Sequence, residues 1–339
     1  MKVGVYYNNR DIRLEERAIP EIHNNSILLK IISSGICGSD LMEFHRIKKA
    51  PLVLGHEIAG IIEKVGEDIK DYALGDRIFA THHVPCDACK ECQRGYKTQC
   101  DEFKKINNFS PGGFSEYTLI AGRSLETGII KLPNEMTYDQ ASFIEPLGTV
   151  VETSEKLSGD SVLVLGAGIA GLLNIQLNRV YGAGSIIATD TNEKRLEAAK
   201  KFGANYTINA KDYNPSLLKE INNGRKADRV IICTGAPKAT EQAFQSYEQG
   251  GKIIFFATPP ENEKTEIEWY QHWRNKPTIE MTYGASPQSC KTAFELIKNK
   301  VIDVESMISH RLPLEEIAEG FKIAAEGDCL KVIINPYKK

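Results

Sequence analysis

Apolar positions Val162 to Leu165 run from Ser161 into Gly166-x-Gly168-x-x-Gly171, and apolar residues then recur at helical spacing from Ala170 towards Tyr181. The pattern predicts a strand, a tight turn and a helix. Further apolar runs predict strands at Ser185–Thr189, Tyr206–Ile208, Arg229–Cys233, Lys252–Phe256 and Thr278–Met281, with helical patterns such as Glu193–Phe202 between them. Six strands alternating with helices imply an α/β fold with a doubly wound parallel sheet. Up to about Arg123 the pattern is different. Short apolar or alternating runs at Ser26–Ile32, Ile58–Val65 and Arg77–Phe79, broken by Gly and Asp, predict a β-rich, turn-rich domain. The tail from Pro287 holds two helical patterns and a last strand, Lys331–Ile334, and no repeat or low-complexity linker interrupts the chain.

The glycine turn carries chemistry. Its first glycine permits the turn, the second lets backbone approach a pyrophosphate, and the third allows close packing of helix on strand. The amides that open the helix at Ile169 and Ala170, with the helix dipole, favour an anion there. Asp190 ends the next strand nineteen residues beyond Gly171, placed to accept a hydrogen bond from a ribose 2′-hydroxyl. A ligand-free glycine turn is the competing interpretation, but strand, helix and acid together favour a bound dinucleotide.

The 339 residues suffice for two domains, with 42% hydrophobic and 26% charged residues and a net charge of −3. That balance gives no argument for nucleic acid. Neither a signal-peptide pattern nor an apolar run of membrane-spanning length is present, so a cytoplasmic protein is expected. In a reducing compartment eight cysteines are not expected to form disulfides, and five stand where metal ligands would.

Four of these, Cys86-x2-Cys89-x2-Cys92-x7-Cys100, lie in a hydrophilic segment with the spacing of a closed metal site. Four thiolates fill a tetrahedral shell and leave no position for substrate, which predicts a structural zinc. An iron–sulfur cluster or redox-active thiols are the rival interpretations. Cys37, in Cys37-Gly38-Ser39-Asp40, and His56, in Gly55-His56-Glu57, are also good zinc ligands, but nineteen residues separate them and only tertiary folding can bring them together. Glu145 stands in the apolar run Phe143-Ile144-Glu145-Pro146-Leu147 and needs a charge or hydrogen-bond partner, which a metal would supply.

Taken together, Gly55-His56-Glu57-x2-Gly60-x5-Gly66, the four-cysteine lobe, the Gly112-Gly113-Phe114-Ser115-Glu116-Tyr117 segment and the glycine turn occur in the order found in the zinc-containing medium-chain dehydrogenases. The whole chain resembles that superfamily of alcohol, sorbitol and threonine dehydrogenases. The resemblance implies a GroES-like catalytic domain over residues 1–150 and 286–339, with the structural zinc lobe at 86–100, and an inserted Rossmann NAD-binding domain over residues 151–285. It implies Cys37, His56 and Glu145 as ligands of a catalytic zinc, with Glu57 a water-mediated or exchanging ligand. Asp40 would orient the zinc-binding histidine and Ser39 would touch the substrate oxygen. A glutamate at Glu145 is the pattern of the sorbitol-type and threonine-type enzymes, whereas the ethanol-type enzymes have cysteine.

The resemblance therefore implies two zinc ions per chain and hydride transfer between nicotinamide and a secondary alcohol of a polyol, cyclitol or sugar, phosphorylated or not. A threonine-type amino-alcohol dehydrogenase is the alternative within enzymes, and an NAD-binding structural relative the alternative outside them. Asp190 favours NAD over NADP, Lys331 would reach the pyrophosphate, and Cys233, Thr234 and Gly235 would line the nicotinamide. Arg195, a weaker indicator of NADP, is expected on the solvent face of its helix. Many members carry a proton-relaying histidine where this chain has Met42; His45, or His82 with His83, could substitute. The expected partners are a small-molecule alcohol or ketone and further copies of the chain, as a homodimer or homotetramer.

Overall fold

The computed structural model describes residues 1–338 and divides into two compact units, Met1–Gly148 with Gly284–Lys339, and Thr149–Tyr283. The second unit is a six-stranded parallel sheet. In spatial order its strands are Tyr206–Asn209, Ser185–Asp190, Ser161–Leu165, Ala227–Ile232, Tyr247–Phe255 and Thr278–Met281. Numbered along the chain this is the order 3-2-1-4-5-6, which reverses direction beside the first strand. Ser161–Leu165 is buried at every position, as a central parallel strand covered on both faces must be. Leu163, Leu165, Ile187, Val230, Ile232 and Ile253 form the core on one side of the sheet.

The first unit is built on antiparallel strands. Ser26–Gly35 lies between Glu57–Val65 and Lys331–Ile334 along the sheet, and also pairs with Tyr117–Ala121. Gly35 is opposite Glu57, and Ile333 on the other side is also opposite Gly35. Three segments remote in sequence thus meet at one end of adjacent strands. The apolar sets Ile27, Leu29, Ile31, Ile58 and Ile62, and Tyr6, Phe114, Phe321 and Ile334, form the core beneath them.

The expected strands are present, most with ends shifted by one to three residues, and Tyr247–Phe255 begins five residues early. Ile308–Leu312 is a strand that the sequence pattern does not predict. It pairs in parallel with Lys331–Ile334, and its Ile-Ser-His-Arg-Leu sequence is too polar to show a buried face. No helix among the described residues is long and apolar enough to cross a membrane.

Candidate active site

The Gly35–Glu57 register brings Cys37 and His56 together. Cys37 lies two residues past the end of one strand and His56 immediately before its antiparallel neighbour. The sulfur of Cys37, a ring nitrogen of His56 and a carboxylate oxygen of Glu57 all lie within 4.8 Å of one another. A short 3-10 turn, Gly38–Leu41, follows Cys37, and its first amides serve the site. Ser39 N–H points at Cys37 Sγ at 3.4 Å, while Cys37 N–H donates to Asp40 Oδ2 at 3.0 Å. Asp40 is fully buried, with its other oxygen 3.6 Å from His56 Nδ1. That is where a carboxylate would fix the ring's tautomer.

Glu57 is held from the far side. Lys331 Nζ ion-pairs with Glu57 Oε2 and donates to the Ile36 carbonyl at 3.0 Å, with both charged side chains only 1% exposed. A Cβ on Gly35 would stand 2.0 Å from Glu57 Oε2 and 2.8 Å from Lys331 Cε, so the pair can cross the strand only at a glycine. Lys331 is buried in the metal-site wall, where its ammonium is committed to Glu57 and Ile36.

Glu145, in the helix Ile144–Val151, is outside the three-residue cluster but acts on it electrostatically. Burial pushes its carboxyl up to about 7, with His56 and Lys331 pulling the other way and Glu57 adding to the rise. Burial also works against charge on His56, yet Asp40, Cys37 and Glu145 together push its ring up to about 10. The His56 shift, upward against burial, reports a negative field that favours a cation. Glu57 Oε1 is buried without a hydrogen-bond partner, and a sulfur, imidazole and carboxylate donor set suits a divalent ion of the zinc type. The residues fit the metal.

Beside His56 stands a pair of rings. His82 lies 5.1 Å from His56 and 3.8 Å from His83 between ring centroids, and His83 Nδ1 faces the Ile106 carbonyl at 2.9 Å. Burial lowers the proton affinity of both. Of the relay candidates, this pair adjoins the site, whereas His45 is on an exposed helical turn.

The four thiols of Cys86, Cys89, Cys92 and Cys100 also meet within 4.8 Å. Sγ–Sγ separations of 3.5 Å (Cys89–Cys92) and 4.0 Å (Cys86–Cys92) bracket the ~3.8 Å set by four Zn–S bonds of about 2.3 Å in a tetrahedron. They are far too long for disulfides. Amides of Cys86 and Cys89 donate to sulfurs of the set. Phe103 packs against the cluster and anchors the lobe.

In the second unit, Gly166 sits at φ +96°, and a Cβ on Gly171 would lie 1.9 Å from the Gly166 carbonyl oxygen. Glycine is required at both. Gly168 caps the helix Ile169–Val180, whose first turn holds Ile169, Ala170 and Gly171. Asp190 receives Ala167 N–H at 2.8 Å and Asn192 N–H at 2.9 Å, which ties the acid to the glycine turn. Cys233 and Thr234 pack against Gly166, and Gly235 approaches the Thr258 carbonyl.

Arg195 does not lie on the solvent face. Its Nη1 is 4.0 Å from Asp190 Oδ2 and its guanidinium lies near Gly168, while Nε is buried without a hydrogen-bond partner. Helical periodicity places a Cα on a face but does not say where a long side chain ends.

A metal site of sulfur, nitrogen and oxygen donors in one unit, with a dinucleotide turn in the other, defines a zinc-type nicotinamide-dependent dehydrogenase. Comparison with known proteins agrees. Residues 170–299 match the zinc-binding dehydrogenase family and residues 23–134 the alcohol dehydrogenase GroES-like domain. The chain is 28% identical to sorbitol dehydrogenase of Bacillus subtilis (strain 168), over 99% of this chain and 97% of that one. It is 30% identical to L-threonine 3-dehydrogenase of Bacillus velezensis, over 95% of each chain. A zinc-binding dehydrogenase of Sinorhizobium meliloti 1021, solved bound to NADP, superposes with a TM-score of 0.87 at 26% identity and covers 99% of both chains. This chain belongs to the zinc-containing medium-chain alcohol dehydrogenase family. It is an oxidoreductase with a GroES-like unit and a Rossmann unit.

Proposed function

We propose that the protein transfers hydride between NAD and a secondary alcohol of a polyol, cyclitol or sugar, phosphorylated or not. The observation that carries this reading is the convergence of Cys37, His56 and Glu57, with Glu145 beside them, around a buried carboxylate oxygen without a hydrogen-bond partner. When bound, zinc supplies the Lewis acidity that makes an alcohol acidic, and the nicotinamide supplies the hydride acceptor. The chain's own residues do the rest. Cys37 and His56 hold the metal, with Glu145 and Glu57 as carboxylate ligands. Asp40 holds His56 Nδ1 so that Nε2 is the ligating nitrogen. The Ser39 hydroxyl relays the substrate proton, taking it while giving up its own, and the His82–His83 pair stands in for the missing relay at Met42 as the next acceptor.

Asp190, at the end of its strand, binds the adenosine ribose and disfavours a 2′-phosphate. Arg195 beside it moderates that preference, so NADP is bound more weakly but not refused. A second zinc sits in the four-cysteine lobe. The enzyme works on small molecules in the cytoplasm, as a homodimer or homotetramer. A threonine-type reaction is the second reading, favoured by relatives of both kinds at similar identity.

The test is Glu145→Gln, which keeps the shape and removes the charge. Turnover, read as NADH absorbance across a panel of polyols and amino alcohols, should fall by at least ~100-fold, the scale of one lost ~3 kcal/mol interaction. NAD binding should survive. Unaltered metal content and turnover would leave Glu145 a structural acid and Glu57 the ligand.

A further inference from the structure

We propose that the substrate carries an anionic group, a carboxylate or a phosphate monoester, and that the guanidinium of Arg46 binds it beside the metal site. The inference rests on the dehydrogenase reading above and narrows its substrate.

Arg46 ends the short helix Glu43–Arg46 and turns back over the 3-10 turn after Cys37. Its Nε donates to the Ser39 carbonyl at 3.0 Å and its Nη2 to Ser39 Oγ at 3.1 Å. Ser39 N–H is itself 3.4 Å from Cys37 Sγ, so the guanidinium stands against the hydroxyl that faces the reacting oxygen. Two of the five N–H groups of the fork are thereby used. The other three have no protein acceptor, and Arg46 makes no ion pair, among the described residues.

Arg46 lies in the field of the buried Asp40 but makes no ion pair with it, and a neutral polyol gives no reason to hold a half-buried guanidinium with three donors lacking a protein acceptor. The acids nearby are turned elsewhere. Asp40 is turned to Cys37 N–H and His56, and Glu43 accepts from Asn9 N–H. The positive field is broad, since Arg46 acts on His82, and Arg46 with Lys49 acts on His83. Bracing the turn would explain the two bonds to Ser39 but not the three remaining donors. Planar, paired donors of that kind match a carboxylate or phosphate in bidentate geometry, and Arg supplies them where Lys cannot. The site thus holds one group for the reacting oxygen and a second, charged one a few ångströms along the substrate.

The experiment uses the zinc-replete full chain and matched alcohols that differ only in the anion: L-threonine against 1-amino-2-propanol, and a polyol phosphate against the free polyol. The wild type should prefer the anionic member of one pair by about 10-fold or more in kcat/KM, and that pair identifies carboxylate or phosphate. Arg46→Gln should raise KM for the anionic alcohol by about 10-fold or more, and lower the neutral one's kcat/KM by much less, so that the preference disappears. Equal losses for both members would make Arg46 a turn brace and overturn the proposal. A binding arm is independent of turnover. Calorimetric titration with inorganic phosphate and with acetate should show one anion bound by the wild type and at least about 10-fold more weakly by Arg46→Gln. Binding of neither anion, or equal binding by both proteins, overturns it. Anion binding lost in Arg46→Gln, with no alcohol oxidised, would instead refute the dehydrogenase reading and leave the anion site standing. If Arg46→Gln fails to fold, Arg46→Lys, which keeps charge but not the fork, carries the same comparison with an expected loss of about threefold.

Discussion

Lys331→Met removes one member of an ion pair in which both side chains are 1% exposed. The variant retains a buried Glu57 carboxylate whose Oε1 already has no hydrogen-bond partner and whose Oε2 has lost its cation, together with an Ile36 carbonyl that has lost its donor. Deleting one partner of a buried pair costs about 3–5 kcal/mol, chiefly for the stranded charge, and a missing hydrogen bond accounts for roughly 1 of that. We expect a loss near ~4 kcal/mol, a large share of the ~5–15 kcal/mol that holds a domain folded. The double variant Lys331→Met/Glu57→Gln should recover at least ~1–2 kcal/mol, because the amide needs no counter-ion. Both tryptophans, Trp269 and Trp273, lie in the other unit, so intrinsic fluorescence would follow the wrong part of the molecule. Urea unfolding should be read by amide hydrogen exchange in Ser26–Gly35 and Glu57–Val65. A loss under ~1 kcal/mol, or strict additivity in the double variant, would refute the argument that the two charges depend on each other.

Cys89→Ser should lower thermal stability while residual activity per folded molecule survives, whereas Cys37→Ser should abolish turnover with little loss of stability; unchanged melting of Cys89→Ser would count against a structural metal. Asp190→Ala should narrow the NAD-over-NADP gap mainly by admitting NADP, and equal wild-type affinity for both nucleotides in a fluorescence titration would remove the role given to Asp190. In the metal-free protein His56 is pushed up to about 10 from 6.5 and Glu145 to about 7 from 4.5. Both folded values exceed the unfolded ones, so each contribution to stability is complete below the lower value and is lost as pH rises through the upper one. Zinc must displace these protons, so its affinity should climb steeply with pH across that range and uptake near pH ~6 should acidify a weak buffer; an affinity flat with pH would contradict the ligand set.

Sequence reasoning reaches furthest where the determinants are local. Ser161 to Asp190 spells strand, glycine turn, helix and acid in consecutive residues, and the four cysteines of the lobe fall within fifteen positions, so fold type and donor set can both be read from spacing. Cys37 and His56 are visible as donors, but their meeting depends on the Gly35–Glu57 register, which no local pattern encodes. The Glu57–Lys331 pair is hidden for the same reason, with 274 positions separating its members. The one available signal is Lys331 itself, a lysine opening an otherwise apolar strand. Arg46 and Arg195 escape differently. Both sit in helical segments, but their guanidinium groups end a full side chain away, on Ser39 and beside Asp190, where backbone periodicity says nothing.

The strand that carries Lys331 also gives the molecule a schedule. A ribosome adding about 5–20 residues per second finishes Lys331 roughly 14–55 s after Glu57. In that interval the Rossmann unit, contiguous from Thr149 to Tyr283, emerges whole and can fold on its own contacts. The GroES-like unit cannot close in the same way. Its sheet lacks Lys331–Ile334, and Glu57 has no cation to accompany it into the interior. The wall of the metal site is therefore assembled after the Rossmann unit has emerged, and a nascent protein holds a finished nucleotide turn well before it holds a finished place for the metal.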